Sequence, residues 1–287
     1  MSTPMSPVVA AWELALRLRK RREQVGIEVK TITQTLGFTR NYWSAVENER
    51  KILSEESLLR IIELFEFDRE ERQELLELRA AAKEHGWWAR YSGLLDEDLQ
   101  RLYGLEHGAR SIRTYENLIL PGLLQTADYA RALMTPDVTI RQVEIDQRVE
   151  ARLRRQERLR GEHPLQLTAI LSEAALRQQI GGPDVLRRQL EHLADMIDEH
   201  PETIEVRVIP FTATACGLFG AATVHLIDFD SPRLPTVAWQ ETVSTWGIID
   251  DSTLVRDLTM TYNDAFRRTQ TQQETRTFIR QRIKELA

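Results

Sequence analysis

The stretch Gly26–Arg50, GIEVKTITQTLGFTRNYWSAVENER, decides how the first part of the chain is read. Its spacing predicts two short helices joined at Gly37, with Thr39 placed to accept hydrogen bonds from the first free amides of the second helix. In that second helix Tyr42 or Trp43, together with Val46, makes one buried stripe. Arg40, Asn41, Ser44, Ala45 and Asn48 fall on its other sides. Such an outer face suits a DNA major groove, because an arginine pairs with guanine and an asparagine with adenine.

The 287 residues suffice for one large or two ordinary domains, and 42% of them are apolar, enough for a real core. The single cysteine, Cys216, excludes an intramolecular disulfide framework, and no Cys/His cluster has metal-ligand spacing, so neither metal nor cofactor is expected. No run approaches the ~18 apolar residues of a membrane span. The N-terminus lacks the charge order of a signal peptide, and a cytoplasmic protein is expected. The net charge of −6 argues against a polyanion partner, but its distribution does not. Residues 1–53 carry nine Lys or Arg against five Glu, whereas residues 54–83 carry five basic and nine acidic residues. A local basic face is what binds nucleic acid, and here it is modest, so two copies are expected to act together.

Around the opening stretch, Val8–Gln24 reads as a helix with apolar positions at Val8, Trp12, Leu14 and Leu18 that stops at Gly26. Ser54 caps a fourth helix carrying Leu58, Leu59, Ile61, Ile62 and Leu64, and Asp68 caps a fifth that runs to Gly86. The expectation is an all-α, five-helix domain over residues 1–83. The pattern RREQVG, LGFTRNYWSAVENER and LLRIIELFEFD resembles the Cro/repressor-type helix-turn-helix, the XRE family, over about residues 9–80. That resemblance implies a structural salt bridge between Arg22 and Glu47. It also implies a DNA-facing set of Arg40, Asn41, Tyr42, Ser44 and Ala45, with Lys30, Asn48, Arg50 and Lys51 near phosphates. The chain departs from the family at Glu28-Val29, where Ser-Gln is common, and at Glu49, where Gly is common.

Residues 84–287 read as a larger α+β domain. Strands are expected at 112–120, 165–171, 204–209, 221–227 and 236–240. A short helix holds Asp128 and Tyr129, a long one spans 138–160, a helical turn 172–179, and Pro183 opens another. Two helices, 252–269 and 272–286, close the chain. The long helix carries Arg148, Arg152, Arg154, Arg155, Arg158 and Arg160 interleaved with Glu144, Asp146, Glu150 and Glu157, so a salt-bridged surface helix is preferred to a second nucleic-acid patch. Trp87-Trp88, PGLLQT at 121–126 with Tyr129-Ala130, the arginine run 148–156, Glu173, Gln189-Leu190, Val208-Ile-Pro210 and Glu241 resemble the large C-terminal domain of uncharacterised function found in many actinobacterial regulators. That resemblance implies transcriptional control, often beside a small protein encoded nearby.

No HExxH, GxSxG or phosphate-cradling glycine loop is present, and no enzyme activity is expected. Glu173 and Glu241 both follow predicted strands, which leaves a paired-carboxylate site to be weighed against two carboxylates satisfied by amides or arginines. Trp87, Trp88 and Tyr91 mark a candidate ligand or partner site. The leading expectation is a sequence-specific DNA-binding transcriptional regulator, homodimeric, whose second domain holds the dimer and receives a signal. One alternative is an antitoxin-like or scaffold protein that binds a small partner protein and autoregulates. A weaker one is a sensor with an apolar cavity near Trp87, Trp88 and the Pro121 loop, its small-molecule effector unknown.

Overall fold

Proline at the first helical position, followed by alanine, tryptophan and leucine, starts helix α1, Pro7–Gln24. The computed structural model describes residues 4–242 and 244–287. After α1 come α2 (Val29–Leu36), α3 (Arg40–Glu47), α4 (Glu55–Leu64) and α5 (Arg69–Ala82). Ser54 accepts from the Ser57 amide, and Asp68 with Glu71 forms a reciprocal capping box, so both helix starts are set by local hydrogen bonds. Helix α5 stops four residues before the expected Gly86: its end tightens, with the Lys83 amide on the Ala80 carbonyl and the Glu84 amide on that of Ala81. Leu14, Leu18, Ile32, Trp43, Phe65 and Leu75 fill one core. Trp43 meets Phe65 edge-on with ring centroids 6.0 Å apart.

The chain divides into two compact units, Pro4–Ala89 and Arg90–Ala287. The second contains α6 (Glu97–His107), β1 (Ser111–Glu116), α7 (Ala127–Met134), α8 (Ile145–Arg155), β2 (Gln166–Ser172) and α9 (Glu173–Arg177). It continues through α10 (Pro183–Glu199), β3 (Ile204–Ile209), β4 (Thr223–Asp228), β5 (Val237–Glu241), β6 (Trp246–Ile249), α11 (Ser252–Arg267) and α12 (Gln272–Glu285). The six strands form one mixed sheet in the order β3-β2-β1-β4-β5-β6. β1, β2 and β3 run parallel through helical crossovers, while β4, β5 and β6 pair antiparallel. On one face Tyr115, Leu226 and Ala238 pack with Val255 and Tyr262 of α11. The alternation of side chains sends Thr114 and Glu116 to the other face, in register with His225 and Trp239. Among the described residues no helix is long and apolar enough to cross a membrane.

Several expected elements differ. β1 ends at Glu116 rather than 120, because the Leu120 amide bonds to the Tyr129 hydroxyl and its carbonyl to Gln125 Nε2 instead of a neighbouring strand. The long helix starts only at Ile145: Asp137 accepts from both the amide and the hydroxyl of Thr139, which turns the chain beforehand. Nor is that helix simply a salt-bridged surface. Glu144 holds Arg148, Asp146 holds Arg131 and Glu150 holds Arg90, but Arg152 and Arg155 continue the inward stripe of Ile145 and Val149. Arg155 makes a two-pronged bond to the buried Glu106 of α6, at 2.7 and 2.6 Å, and lies over the Tyr103 ring. Just past the helix, Arg158 donates to the carbonyls of His107, Ala109 and His163. These arginines are internal braces that tie α8 and the turn after it to α6 and the segment before β1.

Candidate nucleic-acid interface

Helix α3 is set by its two ends. Gly37 closes α2 at φ 71°, a left-handed conformation that a side chain resists, and Thr39 then accepts the Tyr42 amide at 3.1 Å. Of the alternatives for the apolar stripe, Trp43 and Val46 are buried, while Tyr42 is half-buried against Phe38 with ring centroids 4.8 Å apart. At about 100° per residue, positions 40, 44, 48, 41 and 45 occupy a continuous outer arc of roughly 140°. Arg40, Asn41, Ser44 and Asn48 are exposed there and Ala45 is half-buried. Neither the Arg40 nor the Asn41 side chain has a hydrogen-bond or ionic partner among the described residues. Asn48 is already engaged, its Nδ2 donating to the Ser44 carbonyl at 2.7 Å.

Behind α3 the three arginines of the basic run of α1 are used internally, while Lys20 is exposed. Arg22 Nε donates to Glu47 Oε1 at 2.6 Å, the pair that the helix-turn-helix resemblance implies, and Arg19 donates to the Glu47 carbonyl. Arg21 reaches the carbonyls of Phe65 and Glu66 at the end of α4. Lys30, Arg50 and Lys51, expected near phosphates, are all exposed. Glu28, the residue before α2, makes no side-chain cap bond, so the first turn of α2 presents a carboxylate where Ser-Gln would offer donors.

The turn after α3 explains the second departure. The Arg50 amide bonds to the Ala45 carbonyl at 2.8 Å and the Glu49 amide to that of Val46 at 3.2 Å, which puts Glu49 at the position that glycine usually takes after a helix. Its φ of 63° is left-handed. Glu49→Gly is expected to raise unfolding stability by about 1 kcal/mol. Equilibrium denaturation checks this, and a destabilised variant would show that the Glu49 side chain outweighs its backbone strain.

Two family matches cover this architecture. Residues 13–75 match a helix-turn-helix domain, and residues 99–281 match a domain of unknown function, DUF5753, which takes in more than half of the chain. The chain belongs to the DUF5753 family. No curated protein and no solved structure matches it.

Within the DUF5753 domain Glu173 and Glu241 do not form a carboxylate pair. Their strands stand three places apart in the sheet, about 14 Å at ~4.8 Å per strand. Glu173 is instead held by Arg177 at 2.5 Å and by the Phe211 amide at 2.8 Å. Trp87 and Trp88 sit edge-to-face at 5.8 Å in a short 3-10 helix, Trp87–Tyr91, and Trp88 and Tyr91 are buried.

Sequence reasoning missed Glu116, the carboxyl that does lie near Glu241. Glu116 is buried and accepts from the Thr223 hydroxyl at 2.7 Å; desolvation, aided by Glu241, pushes its carboxyl from 4.5 up to about 8. Beside it His225 Nδ1 meets the Thr114 hydroxyl at 2.7 Å, and desolvation with nearby Arg155 pushes the imidazole from 6.5 down to about 3. Between pH 4.5 and about 8 the folded chain keeps a proton on Glu116 that the unfolded chain releases, so this group's stability is lost as pH rises. His225 works oppositely: its stability is present above 6.5 and lost as pH falls toward about 3. The two offset each other from 4.5 to 6.5 and leave a net decline from 6.5 to 8. Glu116→Gln is expected to flatten that decline, at about 1.4 kcal/mol per pH unit. Melting curves of both proteins across this range check it, and identical slopes would count against a protonated Glu116.

Proposed function

We propose that this chain is a sequence-specific, DNA-binding transcriptional regulator of the Cro/repressor type, acting as a homodimer through its DUF5753 domain. The observation that carries the reading is the outer arc of α3, where Arg40 and Asn41 stand exposed and without internal partners on a helix braced at both ends. Side chains so placed fit base edges, and Lys30, Arg50 and Lys51 around them suit phosphates. The helix-turn-helix match supports the same reading. Pairing follows from magnitude: each two-pronged base contact contributes roughly 1 to 3 kcal/mol of discrimination, too little from one helix to separate an operator from genomic DNA. Two copies double that term and the phosphate term together, with half-sites about one helical turn apart. In this reading the protein works by binding and not by catalysis, in the cytoplasm.

Selection of binding sites from randomised duplexes, followed by light scattering of the complex, tests the proposal. An enriched two-fold symmetric motif bound by two chains is the expected result. Enrichment of no motif would overturn it.

A further inference from the structure

The two edges of the DUF5753 sheet are finished differently. On β3 the outer edge is used up: the Val208 amide donates to the Thr275 hydroxyl of α12 at 3.2 Å, and the Val208 carbonyl accepts the Gln270 amide at 2.9 Å. The opposite edge, β6, pairs only with β5. Its register sets Glu241 against Trp246 and Ala238 against Ile249, and the Thr242 amide, donating to the Thr245 carbonyl at 2.8 Å, closes the hairpin one pair further on. Antiparallel pairs alternate between hydrogen-bonded and not, so Gly247 and Ile249 bond to β5, whereas Trp246 and Ile248 turn their amides and carbonyls outward. None of these outward groups has a hydrogen-bond partner among the described residues.

A free strand edge is a template for another strand, and proteins that leave one unpaired guard it with charge, proline or a bulge. β6 carries no charge and no proline, and its register with β5 is unbroken. Trp246 is 42% exposed, and Gly247, Ile248 and Ile249 are half-buried. At 4 residues the strand is short, which confines pairing to few registers. A second copy of the same strand fits one of them. With a two-fold axis through Gly247, Trp246 of each copy opposes Ile248 of the other, and every outward amide meets an outward carbonyl. An aromatic ring opposite a β-branched side chain is a favourable cross-strand pair. It also continues a row of the sheet, because Ile248 already opposes Trp239 on its inner side. A two-fold axis through Ile248 would instead set Trp246 against Asp250. At Gly247 a Cβ would meet nothing within 4 Å, so the axis is open to approach. Two chains of net charge −6 thus meet along a strand that carries no charge of its own.

We propose that β6 is the dimer contact: two copies of the chain pair antiparallel through their β6 edges about a two-fold axis at Gly247, which joins their two sheets into one. This rests on the homodimer reading above and names the surface that such a dimer uses.

Light scattering of the full chain across a dilution series, with two variants, tests this. Trp246→Lys sets a cation on the pairing edge and should weaken dimerisation about tenfold or more. In a Cys216→Ser background, Gly247→Cys puts two thiols in directly opposed, non-hydrogen-bonded positions, about 4.5 Å apart at Cα and within disulfide reach. Mild oxidation should convert that variant to a covalent dimer on a denaturing gel. Phe211→Cys in the same background, at a 63% exposed position in the segment after β3, should stay uncrosslinked. The cross-link reads the contact even where Trp246→Lys disturbs the fold. A wild-type dimer that a folded Trp246→Lys leaves intact, or that Gly247→Cys fails to lock, would overturn the proposal and leave the homodimer to another surface. A wild-type chain that is monomeric at every concentration, free and on its selected duplex, would overturn the homodimer reading with it.

Discussion

Arg155→Ala will cost the DUF5753 domain about 3 to 5 kcal/mol of unfolding free energy, the range for removing one partner of a buried ion pair. Arg155 and Glu106 are 9% and 5% exposed, and the two bonds between them, at 2.7 and 2.6 Å, use both carboxylate oxygens. Burial opposes the charge on Arg155, and the Glu106 carboxylate together with the Tyr103 side chain more than restores it. Alanine at 155 strands Glu106 as an unpaired carboxylate inside the domain. Urea denaturation of the full chain reads the loss. Glu106→Gln, which keeps the shape but removes the charge, should also destabilise, and a double variant should cost less than the sum of the singles. A loss under about 1 kcal/mol for Arg155→Ala would mean that water or another group replaces the pair.

The second large effect is on binding. Arg40→Ala combined with Asn41→Ala should remove roughly 1 to 3 kcal/mol of discrimination per lost contact in each half-site, so that a dimer loses most of its preference for the selected motif. Affinity for random duplex should change little, because Lys30, Arg50 and Lys51 remain. Competition between motif and random duplex at one salt concentration measures the ratio. A parallel fall in both affinities would assign Arg40 and Asn41 to phosphates instead of bases.

The helical domain was legible because its signals are local. Thr39, Ser54 and Asp68 each cap the helix that follows, and Gly37 alone permits the turn between α2 and α3. A cap acts within four residues, so a sequence displays it directly. The second domain depends on partners far along the chain. Charges alternating at helical spacing look alike whether they pair along one surface or reach across to another helix, so Arg152 and Arg155 read as surface when Gln125 and Glu106 were waiting for them. Glu173 and Glu241 invited a pair because both follow predicted strands; strand order, which the sequence does not display, separates them, Glu173 has the arginine and amide partners that were the preferred reading, and Glu116 is the carboxyl near Glu241. Two elements were missed with signals in view. Asp96, accepting from the Leu99 amide, starts α6, and the Thr242 hydroxyl, donating to the Thr245 carbonyl, joins β5 to β6.

Helix α3 is tied at its start by Thr39 and at its end by Arg19 and Arg22 through Glu47. A helix held in this way has its bound shape before any duplex arrives, and docking it need not order new backbone. The heat-capacity change on association should then follow from the surface covered alone, without the excess that accompanies a segment folding onto its partner.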